Sequence, residues 1–144
     1  MPAADRVGLS WRGELAPDIL RHLSSIDAVE VIAEDWLQAP DARLPALRDL
    51  AAARPLTLHG VSLGAASAVP VDAARLDRLA RLVDRVRPAG WSEHLAFVRG
   101  GGIELGHLAA PPRTPATVDG AVANLRRAAA VVGAPPAVEN VATL

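Results

Sequence analysis

Apolar residues recur along this chain in two alternating patterns, short runs and helical stripes. Val7-Gly8-Leu9-Ser10-Trp11 reads as a first strand. Glu14–Leu23 then carries Leu15, Ile19, Leu20 and Leu23 on one side of a helix. The run from Ala28 to Glu34 is a second strand, and the region after Pro40, with Leu44, Leu47 and Leu50, a second helix. Pro55–Val61 is a third strand turning at Gly60. A third helix starts at Val71-Asp72, buries Leu76, Leu79, Leu82, Val83 and Val86, and ends before Pro88. Ala89–Leu95 is a fourth strand. Thr114-Pro115 opens a fourth helix with a capping hydroxyl and a first-turn proline. It runs through Val118, Val122, Leu125 and Ala129 to a C-cap at Gly133. Ala137–Val141 is a fifth strand.

Strands alternating with helices call for a parallel sheet joined by right-handed crossovers. The expected fold is α/β: the N-terminal (β/α)4-β5 portion of a TIM-type barrel, in one domain over residues 1–144. Phe97-Val98-Arg99, Gly100-Gly101-Gly102 and Ile103-Glu104-Leu105 make a hairpin insertion at about 96–106. The barrel is incomplete, since 144 residues fall short of the roughly 250 of a complete one. No Gly-x-Gly-x-x-Gly turn follows the first strand and there is no Walker loop, which disfavours nucleotide-binding sheets.

Composition narrows the chemistry. There is no cysteine, so thiolate metal sites, disulfides and cysteine nucleophiles are excluded. Fifteen Lys and Arg against sixteen Asp and Glu give no electrostatic case for nucleic acid. Residues Met1–Arg6 lack the apolar core of a signal peptide, and no run is long enough to span a membrane. A cytoplasmic location is expected.

What remains is three strand ends carrying metal-ligand residues: Leu58-His59-Gly60, Ser92-Glu93-His94 and Val138-Glu139-Asn140. The steps between them, 94 − 59 = 35 and 139 − 94 = 45, each approximate one strand-plus-helix unit. Parallel barrel strands deliver their C-terminal ends to one mouth. Two imidazoles and a carboxylate then converge, a donor set known for non-haem iron. Either histidine alone reads as a hydrogen-bonded core residue; the three together read as a metal site. Glu93, next to His94, points to the other face, either ion-paired with an arginine or supporting the site from behind. Glu34 is expected at the mouth, on the same strand face as Glu30. Asn140 is expected to hydrogen-bond near the site, Arg12 to face the mouth as a substrate anchor or a surface ion pair. His107 is a loop histidine and a candidate substrate contact.

The motifs Val7-Gly8-Leu9-Ser10-Trp11-Arg12, Glu30–Asp35, His59-Gly60-Val61-Ser62-Leu63, Ser92-Glu93-His94-Leu95 and Glu139-Asn140-Val141 occur in this order. The set resembles the multinuclear non-haem iron-dependent oxidative family that includes the methanobactin-biosynthesis oxidases, over the first half of that family's domain. The resemblance implies His59, His94 and Glu139 as iron ligands, with Glu139 bridging. It implies two or three irons in a complete domain, O2 as co-substrate, and oxidation of a peptide side chain, cysteine in particular, presented by a partner protein. The chain departs from the family at His107–Arg113, where many members carry an acid and a Leu-Pro-Leu-Pro-Tyr run.

Two other readings stand beside this one. One is a xylose-isomerase-like or endonuclease-like barrel using the same residues for zinc, manganese or magnesium. The other is an inactive half-barrel that pairs with another chain. Free apolar edges at Val7–Leu9 and Ala137-Val138, and an inner face of Leu9, Val31 or Ile32, Leu58 and Val138, lead to an expectation of self-association.

Overall fold

The computed structural model describes residues 5–142; most of the N-terminal stretch read for a signal peptide, residues 1–4, lies outside it. Five strands form one parallel sheet in the order β1, β2, β3, β4, β7. They are β1 Gly8–Ser10, β2 Ala28–Ile32, β3 Leu56–Gly60, β4 Gly90–Leu95 and β7 Ala137–Asn140. The sheet curls as a half-barrel, consistent with part of a TIM-type barrel. Between β4 and β7 the strands β5 Phe97–Gly100 and β6 Ile103–Ala109 pair antiparallel as a separate hairpin. Its tip turns at Gly101 and Gly102, both at positive φ.

Four helices cross from strand to strand: α1 Ala16–Arg21, α2 Leu44–Ala53, α3 Ala73–Val86 and α4 Pro115–Val132. The caps are those the sequence predicts. Asp72 accepts from Arg75 N at 2.8 Å, and Thr114 from Thr117 N at 3.2 Å. Gly133 closes α4 at φ 88°.

The core lies between the helices and one face of the sheet. Val29, Val31, Leu56, Leu58 and Trp91 from the strands meet Leu44, Leu47, Leu50, Leu76, Leu79, Leu82 and Val86 from the helices. Because side chains alternate along a strand, this fixes what the other face carries. Residue pairs across the ladders run Ser10–Glu30–Thr57 and Ile32–His59–Ser92, then His94–Glu139. The inner face is therefore mainly polar.

That corrects the expected inner face. Leu9, Val31, Leu58 and Val138 all point toward the helix layer; of the candidates only Ile32 faces inward. The choice between Val31 and Ile32 turns on one residue of register, which reverses every side chain.

Three elements differ from expectation. The helix over Glu14–Leu23 contracts to α1 between two 3₁₀ turns, Gly13–Leu15 and Leu23–Ser25; of its stripe Ile19 is buried while Leu15 and Leu20 are exposed. Pro17 serves the first turn of α1 rather than the interior of a longer helix. Strand β2 ends at Ile32, and Ala33–Asp35 forms a 3₁₀ turn, so Glu34 leaves the face of Glu30. Helix α4 is rotated from its expected face: Ala121, Asn124 and Ala128 are buried, while Val118 and Val122 are exposed. Small residues let α4 approach closely, and a Cβ at Gly120 would sit 2.9 Å from Ser67 O.

Val118 and Val122 instead line an open groove of about 1010 Å³ with Leu125, Val138, Val141 and Pro111. Burying apolar surface of this kind drives association. In sedimentation velocity across a concentration series, the chain is expected to self-associate. The double variant Val118→Glu, Val122→Glu is expected to keep the fold and move the distribution toward monomer. A parent that stays monomeric at every concentration overturns the expectation; association unchanged in the double variant assigns it to the free strand edges.

Candidate metal centre

Register brings the three expected ligands together. His59 is the penultimate residue of β3, His94 that of β4, and Glu139 that of β7. All lie on the inner face, at the C-terminal ends of adjacent parallel strands. His94 pairs directly with Glu139 in the ladder, and His59 pairs with Ser92. His59 Nε2 lies 3.1 Å from His94 Nε2 and 3.7 Å from Glu139 Oε2. One ligand atom from each residue falls within 4.8 Å of the others. Donors about 2.1 Å from a common ion are separated by about 3.0–3.4 Å in octahedral or tetrahedral geometry. The 3.1 and 3.7 Å separations fit one ion after shifts of a few tenths of an ångström, and a separation as long as 4.8 Å closes with a turn of the half-exposed Glu139 side chain.

The two imidazoles are held differently. The ring of His59 is buried, and its Nδ1 lies 2.8 Å from Ser92 Oγ. A bond donated from Nδ1 leaves the Nε2 lone pair facing His94 and Glu139, which is how a supporting hydrogen bond selects the ligating tautomer. Ser92 was not among the expected site residues. It could have been found, because it precedes His94 by two and so shares its face. In His94 the buried Nδ1 has no hydrogen-bond partner among the described residues. No protein contact there fixes that ring's tautomer, and its edge packs on His59 at a centroid distance of 4.7 Å. Glu139 is more open, its side chain about half exposed.

The other candidates separate. Glu93 is 2% exposed, on the opposite face of β4 as expected. No arginine pairs with it among the described salt bridges, so the ion-pair reading of Glu93 is corrected. Its Oε1 accepts from His94 N at 3.1 Å. A Cβ at Gly60 would overlap its Oε2, so only glycine leaves room there. Burial, then the neighbouring Glu34 carboxylate, push the Glu93 carboxyl up to about 8, against the weaker pull of the His94 and Leu63 amides and Arg99. Glu34 does not reach the inner face: from its 3₁₀ turn it bonds the backbone of Val61 and Ser62. Asn140 alternates to the helix side and lines the α4 groove rather than the site. Arg12 is exposed at the C-terminal end of β1 and joins no ion pair among the described residues. His107 is exposed on β6, with Nδ1 2.9 Å from Leu105 O, and is not part of the cluster.

The segment between β3 and α3 is held by a residue that patterning did not flag. Asn124, buried on α4, accepts from Val71 N and donates to the carbonyls of Ala65, Ser67 and Val69. One amide thereby bonds four backbone groups of the segment from β3 to α3, its two N–H hydrogens shared among three carbonyls. Such buried polar groups are costly unless fully paired.

The profile of the RiPP precursor modification enzymes MbnB/TglH/ChrH matches residues 6–144, and the chain belongs to that family. A UPF0276 protein of Streptomyces avermitilis is 38% identical over 146 residues, spanning 95% of this chain and 29% of that protein. One of Acaryochloris marina is 35% identical over 79% of this chain and 41% of its own length. One of Paraburkholderia phytofirmans is 31% identical over 95% of this chain and 45% of its own. The chain thus spans less than half the length of these relatives. The family is associated with metal-dependent catalysis. No helix among the described residues is long and apolar enough to cross a membrane.

The Glu93 environment gives a test independent of metal. Its folded value, about 8, lies above the ordinary carboxyl value of 4.5. Between those values the folded chain holds a proton that the unfolded chain releases, so stability falls as pH rises through this window. Glu93→Gln removes the titration. In metal-free buffer the variant is expected to melt about 5 °C or more above the parent near pH 9, with the gap closing toward pH 5. Parallel melting curves across that range would exclude a raised carboxyl at Glu93.

Proposed function

We propose that this chain is the N-terminal half of a TIM-type barrel enzyme domain that modifies a ribosomally made precursor peptide, and that His59, His94 and Glu139 are ligands of its iron. Convergence of two imidazoles and one carboxylate on the inner face carries the reading. Family membership supports the peptide-modifying class. Two histidines and a carboxylate leave positions open on non-haem iron. When bound, iron would supply the one-electron chemistry that O2 requires as a co-substrate.

The chain's own residues supply the setting. Ser92 holds the ring of His59 with its lone pair inward. Glu139, on the edge strand β7, would hold iron through its carboxylate, a group suited to bridging. Apolar packing behind β3 and β4 keeps water from the helix side of both histidines. Arg12, at the same end of the sheet, is suited to anchor a substrate carboxylate, and His107 on the hairpin to touch a bound peptide or its partner protein. A cytoplasmic setting belongs to the same proposal.

Three donors are few for a cluster of two or three ions. Iron is expected to be stoichiometric in a full-length relative and weakly held by the 144-residue chain, both purified without oxygen and measured by elemental analysis. His59→Ala and Glu139→Ala are each expected to lower the iron retained by this chain at least tenfold, the scale on which even supporting contacts act. Stoichiometric iron in the 144-residue chain would mean that other residues complete the site. Zinc, manganese or magnesium in place of iron in both would favour hydrolytic or isomerising chemistry.

A further inference from the structure

We infer that Glu34 is a positioning residue for His59: its carboxylate takes over the hydrogen bonding of β3 where the ladder with β2 stops. The ladder's last pair is Ile32 with His59. Beyond it β2 turns away into Ala33–Asp35, leaving the next amides of the β3 segment without a strand partner. Glu34, on that turn, fills the place. Its Oε1 accepts from Val61 N at 3.0 Å and Ser62 N at 2.8 Å. These residues follow His59 by two and three, so the contact fixes the backbone just after the ligand. Hydrogen bonds to a charged acceptor are among the stronger ones.

The turn is gripped from its other side by positive charge. Arg99 donates to Ser62 O at 2.8 Å and Leu63 O at 3.0 Å, and Arg75 to Ser62 Oγ at 3.0 Å. Amides of the turn thus meet a carboxylate and its carbonyls meet guanidinium groups. Glu104 Oε1 holds both arginines, at 2.9 Å from Arg75 Nη2 and 3.0 Å from Arg99 Nε. The hairpin that follows His94 is thereby tied to the turn that follows His59. Glu34 is the only carboxylate among the described residues bonded directly to Val61 and Ser62, and the backbone it holds is the one from which the His59 ring reaches Ser92.

The role toward metal rests on the proposed function; the role toward the His59 ring does not. Both are read on the full chain with Glu34→Ala and Glu34→Gln. Gln keeps an oxygen acceptor at the same reach, and Ala removes it. In metal-free Glu34→Ala, long-range 1H–15N spectra are expected to show His59 losing its single tautomer. Amide exchange at Val61 and Ser62 is expected to rise at least tenfold. Glu34→Gln is expected to behave as the parent in both. With Co(II) alone as probe, affinity is expected to fall 10–100-fold in the Ala variant and less than threefold in the Gln variant. If Ala fails to fold, Glu34→Asp carries the test: it keeps the charge, stops one methylene short, and is expected to change the same signals in the same direction. An unchanged His59 ring in the Ala or Asp variant overturns the inference, as does a Gln variant as impaired as Ala. Failure of the parent to bind Co(II) would instead count against the metal reading, with the ring and exchange data still deciding the role of Glu34.

Discussion

The two-residue alternation of adjacent parallel strands is the constraint on which this site depends. It gives one face of β3, β4 and β7 to the core and the other to His59, His94 and Glu139, with no choice left to individual side chains. Leu58 and Trp91 are buried against the helices because their neighbours His59 and Ser92 are not, and the reverse. A one-residue slip of β4 against β3 would place His94 in the helix layer and Glu93 on the inner face. The apolar core is therefore also what holds the register of the site: each leucine packed behind the sheet specifies where an imidazole emerges in front.

Register alone places Cα atoms, not rings. The segment that follows β3 lies past the regular ladder, where backbone groups would otherwise lack partners. Polar side chains on the helix side of the sheet supply them. Glu34 and Arg99 clamp the turn after His59, Glu93 takes the amide of His94, and Asn124 bonds four backbone groups further along. Gly60 lets this polar layer approach the strand, since any side chain there would displace Glu93. The inner face carries the candidate ligands and Ser92; the outer face carries much of what orients them.

Much of the architecture was legible in the sequence because it rests on period and punctuation. Asp72, Thr114-Pro115 and Gly133 mark their helix ends through local hydrogen bonding, and local signals survive tertiary packing. The convergence of His59, His94 and Glu139 was legible because it needs only strand ends and alternation. What failed depended on neighbours. Val118 and Val122 fit a helical stripe, but Asn124 wins the buried position by pairing four backbone groups that no pattern announces. Glu34 sits in a β-like apolar run, yet β2 stops at Ile32 and the residue turns to cap β3. The inner face was misassigned because an apolar strand in a parallel sheet gives little sign of which alternate residues face the helices.

The polar inner face bears on what the rest of such a barrel must do. A TIM barrel commonly fills its interior with bulky branched side chains in layers. Here Ser10, Glu30, Thr57, His59, Ser92 and His94 occupy much of that face, with Ser10 Oγ 3.4 Å from Glu30 Oε1 and His59 on Ser92. Apolar side chains arriving from opposite strands would bury these groups without partners, at a cost of a few kcal/mol for each. Strands that close this sheet must therefore bring donors and acceptors, or ligands, rather than leucines. The longer relatives have more than half their length beyond the part matched here in which to supply them. A face too polar for an apolar core, with imidazoles and a carboxylate at its open end, suits an interior organised around ions. On this argument an ion held there would be part of how a complete barrel satisfies its interior, and the same buried polar groups would serve folding and chemistry together.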